Sequence, residues 1–309
     1  MTEITKLNHP WLIAVWPGMG SVALSAGYYL MAKLGMNVMG EYSPEGLFDV
    51  EHVDVHDGLI RTGARPRSRL FVWHDPSERH DIVVFIGEAQ PPIGKYVFCR
   101  EMIGRAKELG VERVFTFAAM ATQMHPEHES RVFGAATDQE SLDELKRLEL
   151  ELLKDGQIGG LNGVLLGAGA EAEFRGTCLL GEIPHVFAQV PFPKASLSVL
   201  KVFATMAGVE IDFDELAQQA QLMEQKLGSV LAQIEQAMEH EQVEEPEDFS
   251  PEPVEEGRLS PQDEQRIEAL FTAAASDRSR AYELKRELDN LGVFKDYEDR
   301  FLDLFQQSE

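Results

Sequence analysis

Two periods of hydrophobicity alternate along the first part of this chain. Leu12-Ile-Ala-Val-Trp16 is a short continuous apolar run that stops at Pro17-Gly18-Met19-Gly20. Ser21 to Leu34 then carries small residues on one face and Leu and Tyr on the other, a helical pattern. Further strands are predicted over Val38 to Tyr42, Leu70 to Trp73, Ile82 to Ile86, Val114 to Phe117, Val132 to Ala135, Cys178 to Leu180 and Val186 to Val190. Helices are predicted over Gly94 to Leu109, Gln139 to Lys154 and the small-residue stretch Gly163 to Ala172. Apolar strands alternating with helices are the pattern of a mostly parallel sheet covered on both faces. The expected fold class is therefore α/β, with Asp81-Ile-Val-Val-Phe-Ile86 as the central strand.

The pattern changes after Pro193. Leu197 to Ala207 reads as one helix, and Asp212-Phe-Asp-Glu215 opens a longer one. That helix carries Leu216, Met223, Leu227, Leu231, Ile234 and Met238 at helical spacing, a stripe for the sheet domain or for a partner. Residues 242–258 are rich in Pro and Glu and read as a linker. Ser260-Pro261 then begins a helical tail, with Ser as N-cap and Pro in the first turn. The expected organisation is an α/β domain over 1–241, the linker over 242–258 and a separable short helical tail over 259–309.

Charge and composition narrow the partners. With 53 acidic against 28 basic residues the net charge is −25, which argues against nucleic acid and against an anionic membrane surface. Nine of the acids fall between Glu239 and Glu256, where no Lys or Arg occurs. Two cysteines, Cys99 and Cys178, make no disulfide framework, and no secretory leader pattern opens the sequence. No apolar stretch approaches the roughly 20 residues of a membrane span. A cytoplasmic location is the expectation.

Polar residues gather where the predicted strands end, the place open parallel sheets keep their ligands. Trp16-Pro-Gly18-Met-Gly20 is a glycine turn able to aim amides at an anion, though Ala23 stands where a third glycine would be and no lysine follows. Glu88 and Gln90 follow the central strand. Thr122 leads into His125-Pro-Glu127-His128-Glu129, two imidazoles and two carboxylates in the wrong spacing for a helical zinc site. Asn162 sits in Gly159-Gly-Leu-Asn-Gly163, which permits close backbone packing or a pocket floor. Glu182 and His185 close the set. No nucleophile elbow is present, neither cysteine lies in an activating motif, and Lys and Arg are scarce for a polyphosphate site. No catalytic residues, metal or cofactor are therefore expected. Two readings stay open: a non-enzymatic protein, and a protein with a pocket built from Gly18, Gly20, Glu88, Gln90, Thr122, His125, His128, Asn162, Glu182 and His185 for a nucleotide-like or carboxylate ligand, with ligase- or hydrolase-type chemistry.

These same segments resemble the proteasome assembly chaperone family, specifically bacterial and archaeal relatives of its second subunit. The residues carrying the resemblance are Trp16-Pro-Gly-Met-Gly20, Val84-Phe-Ile-Gly-Glu-Ala-Gln-Pro91, Thr116-Phe-Ala-Ala-Met-Ala-Thr122, Gly159-Gly-Leu-Asn-Gly163 and Gly181-Glu-Ile-Pro-His185, and the likeness runs from about Leu12 to Glu239. It implies a three-layer α/β sandwich resembling phosphorylase-type folds. It also implies self-association as a homo-oligomer, with three or four copies expected, and a scaffold or assembly-chaperone role. Members are sometimes labelled ATP-grasp, but the lysines and paired metal-binding carboxylates of such ligases are missing here. Relatives that dock on the proteasome can end in a hydrophobic-Tyr-any tail, whereas this sequence closes Leu304-Phe-Gln-Gln-Ser-Glu309.

Overall fold

The computed structural model describes residues 7–42, 46–50, 53–240 and 259–306, with only the backbone described for 235–240; the expected linker over 242–258 lies outside them. In chain order the elements are β1 (Trp11–Val15), α1 (Val22–Lys33), β2 (Asn37–Tyr42), β3 (Val53–His56), β4 (Leu59–Thr62), β5 (Ser68–Trp73), β6 (Ile82–Gly87), α2 (Lys95–Glu108) and β7 (Arg113–Thr122). They continue with β8 (Val132–Ala136), α3 (Gln139–Arg147), β9 (Glu151–Leu152), α4 (Gly160–Glu171), β10 (Arg175–Pro184), α5 (Pro193–Ala207), α6 (Asp214–His240), α7 (Pro261–Ser276), α8 (Ala281–Asn290) and α9 (Phe294–Asp303).

Eight strands form one sheet in the order β2-β5-β6-β1-β7-β10-β8-β9. Its centre, β6-β1-β7-β10, is parallel, and β2, β5 and β8 join antiparallel. Successive residues of β1 enter opposite cores. Ile13 and Val15 face one core with Val84, Phe115 and Leu179, while Leu12 and Ala14 face the other with Val83, Val114 and Cys178. Helices α1 and α5 cover the first face, α2 and α4 the second. This is the expected three-layer sandwich.

Two local expectations differ from the structure, and one feature was not expected. Val186–Val190 is not a strand, because β10 runs on to Pro184 and the chain then turns through a short 3-10 helix, His185–Phe187. Its exit is held by the glycine turn instead: Gly20 N–H donates to the Ala188 carbonyl (2.7 Å) and Phe192 N–H to the Gly20 carbonyl (2.9 Å). The helix expected up to Lys154 ends at Arg147, since Glu149 takes a left-handed backbone (φ 57°) and Glu151–Leu152 then pairs with β8. Finally, β3 and β4 form a hairpin outside the main sheet.

The C-terminal helices, expected as a short tail, pack on the first core. Ser260 caps α7 by accepting from Asp263 N–H, with Pro261 in the first turn as its sequence implies. From there, Phe301 and Phe305 are fully buried against Tyr28 and Phe71. Val38 N–H of edge strand β2 donates to the Phe305 carbonyl at 2.8 Å, so the tail also closes an open sheet edge. Arg69, 4% exposed, is answered by Glu41 (3.1 Å) and Asp299 of α9 (2.8 Å). Cleavage within residues 242–258 should therefore leave two fragments that co-elute on native size exclusion. Fragments that separate without denaturant would show that the docking is too weak to hold.

Candidate functional site

The expected pocket residues divide between two neighbouring places. In the parallel register Ala14 of β1 lies beside Thr116 of β7, yet β7 and β10 run on together to the pair Thr122 and Pro184. The Gly20 turn nevertheless lies under Ile183, so the two places adjoin along β7 and β10.

The first place is a cavity of about 550 Å³ at the end of β1, lined by Gly18, Met19, Gln90, Ala119, Ile158 and Asn162 among others. Its polar groups are largely committed. Gln90 donates through Nε2 to the Pro17 carbonyl (3.0 Å) and accepts through Oε1 from Leu161 N–H (3.2 Å), tying the glycine turn to the start of α4. Asn162 is 7% exposed, its carbonyl accepts from the Thr116 hydroxyl, and its Oδ1 has no hydrogen-bond partner. Glycine is required at 163, because a Cβ there would sit 1.9 Å from the Ile158 carbonyl oxygen. Gly20 is buried and lies under Ile183.

The second place is an open cavity of about 600 Å³ lined by Thr122, Gln123, Met124, His128, Glu129, Arg131 and Glu182. Glu182 is 2% exposed and accepts from Arg131 Nε (2.7 Å), Arg131 Nη2 (2.6 Å) and the Thr122 hydroxyl (2.7 Å). The Arg131 guanidinium holds its carboxyl below the usual range, against the opposing effect of burial. A carboxylate so held is a structural anion and a poor proton carrier.

The remaining candidates stand outside both cavities. Glu88 accepts through Oε2 from Arg67 N–H (2.7 Å), and burial pushes its acidity toward the neutral form, helped by Glu298 and Asp299. His125 accepts from Glu127 N–H (3.2 Å), and exposed His185 donates to the Thr122 carbonyl (3.1 Å). Lys194, which sequence reading missed, staples the 125–129 loop by donating to the Pro126 (2.7 Å) and His128 (2.9 Å) carbonyls while pairing with Glu224 of α6 (2.7 Å). Among the described residues no three His, Cys, Asp or Glu side chains converge as a metal-binding group. Both thiols are buried, and burial pushes each up to about 12. Arg131 was also missed, since nothing in its sequence neighbourhood marks it as the partner of Glu182.

A three-layer sandwich with glycine-bound strand ends fits a known pattern: the PAC2 family matches residues 12–231. The chain belongs to the PAC2 family. The matched span takes in every candidate residue above and stops within α6, before the C-terminal helices. Among relatives, the Methanocaldococcus jannaschii protein MJ1210 is 29% identical over 227 residues, covering 72% of this chain and 83% of that one. Two solved structures share the PAC2 fold. A Mycobacterium tuberculosis proteasome-assembly chaperone homologue superposes with a TM-score of 0.62 at 23% identity, over 72% of this chain and 95% of its own. Pyrococcus furiosus PbaB, an archaeal proteasome activator, gives 0.61 at 25% identity, over 73% and 95%. No helix among the described residues is long and apolar enough to cross a membrane.

The Glu182 site makes a pH prediction. Because its folded pKa is depressed, the stability it contributes is fully present above the ordinary glutamate range and is lost as pH falls through the lowered folded value. Arg131→Leu removes the cause of that shift. The variant's Tm deficit should therefore be widest near neutral pH and shrink in acid, measured by thermal unfolding from pH 7 to pH 3. A deficit independent of pH would show that Arg131 acts through packing alone.

Proposed function

We propose that this PAC2 protein is a protein-assembly chaperone or scaffold, which acts by holding proteins, itself included, and not by transforming a small molecule. The family match over residues 12–231 carries the reading. The roles of the solved relatives, an assembly-chaperone homologue and a proteasome activator, give it direction. The site geometry is in keeping with it, since Gln90, Thr122, Glu182 and His185 are engaged in contacts within the chain. In this reading the protein works in the cytoplasm as a homo-oligomer of three or four copies and engages the unassembled subunits of a ring-forming complex.

The test mixes the purified chain with individually purified proteasome ring subunits from the same source and follows complexes by native mass spectrometry. A complex with unassembled subunits, absent once the ring is complete, is expected. Equal binding to subunits and finished rings would point to an activator, and no binding to either would remove the proteasome as partner.

A second reading keeps a ligand in the cavity at the end of β1. The unpartnered, buried Asn162 Oδ1 in that cavity favours it. A ligand there stabilises the folded state by mass action. Nucleosides, nucleotides and small carboxylates at millimolar concentration should then raise Tm, and Asn162→Leu should abolish the rise. No shift with any of these classes counts against a pocket of this kind.

A further inference from the structure

Glu88 stands one residue beyond β6, opposite Arg67. Its N–H donates to the Arg67 carbonyl (3.0 Å), which continues the register Arg69↔Ile86 and Ser68↔Gly87. Alternation therefore puts Glu88 on the face of Ile86 and Arg69, the side of the first core on which α9 lies. Its Oε2 has one donor, Arg67 N–H (2.7 Å), whereas Oε1 is shut from water and has no hydrogen-bond partner. Ionised, this carboxyl would hold a bare negative oxygen in the protein interior, which costs far more than burying the neutral acid. Glu182, with three donors around it, is the opposite case.

The charges around Glu88 do not offset that cost. Helix α9 brings up two more carboxylates, buried Glu298 and Asp299. The arginines of this face are taken: Arg67 and Arg69 both pair with Glu41 of β2 and with Asp299. Arg69 Nη1 is left without a partner and makes no hydrogen bond to Glu88 Oε1, which is unpartnered as well. Lys295 of α9 pairs with Glu298 (2.6 Å), and from α1 the Tyr28 hydroxyl donates to that same carboxylate. Burial holds the Tyr28 phenol above its ordinary range, so it remains a donor. On α8, Lys285 is held by Asp289 (2.6 Å). Burial pushes the Glu88 carboxyl above its ordinary range, and Glu298 and Asp299 add to this against the Arg67 N–H and guanidinium.

We propose that Glu88 carries a proton while the C-terminal helices are docked and gives it up when they lift, so that α9 caps the PAC2 span with a hold that loosens as pH rises. The sign follows from which state binds the proton. Docked, Glu88 keeps it to a pH above the ordinary glutamate value; undocked and solvated, it titrates at about 4.3. The stability that docking gains is therefore fully present below the ordinary value and is lost as pH rises through the raised one. Lifting would uncover Tyr28 and Phe71, now packed by Phe301 and Phe305, and the β2 edge that the Phe305 carbonyl closes at Val38. An aromatic face beside a free sheet edge is a surface on which another chain can pair.

Hydrogen exchange of the full chain from pH 4 to pH 8, corrected for intrinsic amide rates, reads the docking at α9. Protection over Phe294–Asp303 should fall by about tenfold across that range in the wild type. In Glu88→Gln, whose side chain copies the neutral acid, it should stay level. Glu298→Gln removes one opposing charge and should move the midpoint of the fall to lower pH. Wild-type protection that is level or rises with pH overturns the proposal, as does a fall in Glu88→Gln that matches the wild type's. Should Glu88→Gln fail to fold, a midpoint left unmoved by Glu298→Gln overturns it instead.

Discussion

Neither face of the central strands can meet water, and most of the architecture follows from that constraint. All six residues of β6 are buried, and β1 sends large or branched side chains into both cores. Burying each such side chain stabilises the fold by about 1.5–3 kcal/mol, provided a layer exists on both sides to receive it. On one side α2 and α4 suffice. On the other, α1 and α5 cover the middle of the sheet, but Tyr28 and Tyr29 of α1 and Phe71 of β5 would still face water. The C-terminal helices supply the missing cover: Tyr282 meets Tyr29 edge-on at 4.5 Å, and Phe305 meets Phe71 at 6.1 Å. Helices outside the PAC2 span are thus bound to the sheet by the same requirement that shaped the PAC2 span itself.

A chain this acidic must also place its few cations carefully. Where an arginine is buried, carboxylates meet it: Arg69 has Glu41 and Asp299, and Arg113 has Glu144 at 2.6 Å. Removing one member would strand the other in a poor solvent for charge, which makes such pairs costly to break even where forming them gains little. Asp299 serves two arginines at once, Arg67 and Arg69, and so turns α9 from a hydrophobic lid into one with a fixed register on the sheet. Lys194 plays the equivalent part for the 125–129 loop, with one ammonium bridging two carbonyls and a carboxylate on α6.

The core strands and helices were legible because a single local signal decides each of them. A continuous apolar run announces β1 and β6, and Ser260-Pro261 announces α7. What escaped depends on partners distant in sequence. Val186–Val190 has strand composition, but the Ala188 carbonyl is taken by Gly20 N–H, and the Ala188 and Val190 amides by local turns. The residues after Arg147 look helical until Glu149 turns left-handed and β8 offers a ladder. The hairpin signal was present at Asp57-Gly58, yet its flanks mix Val and Leu with Asp, His and Arg, so alternation was weak there. At the candidate site, residue types at strand ends were readable, but their grouping was not: Gly18 and Asn162 line one cavity, which reaches Ala121 of β7, while Thr122 and Glu182 line its neighbour.

That separation changes what the shared motif segments mean. Gly20 receives and returns backbone hydrogen bonds that hold the exit of β10, and Gln90 ties the β1 turn to α4. Glu182 binds β10 to the start of β8 through Arg131. Each joins elements that the sheet alone would leave loose at the carboxyl ends of its strands. Losing one such tie would free a loop at the end of the sheet. Under the proposed scaffold role, function is left to the surfaces that the ties hold in place. Exposed apolar side chains outside the motif segments include Leu222 of α6, 67% exposed, and Ile60 of the hairpin, 73% exposed. Members can therefore keep the ties and change the surfaces, and a common fold then accommodates different partners with no change in its core.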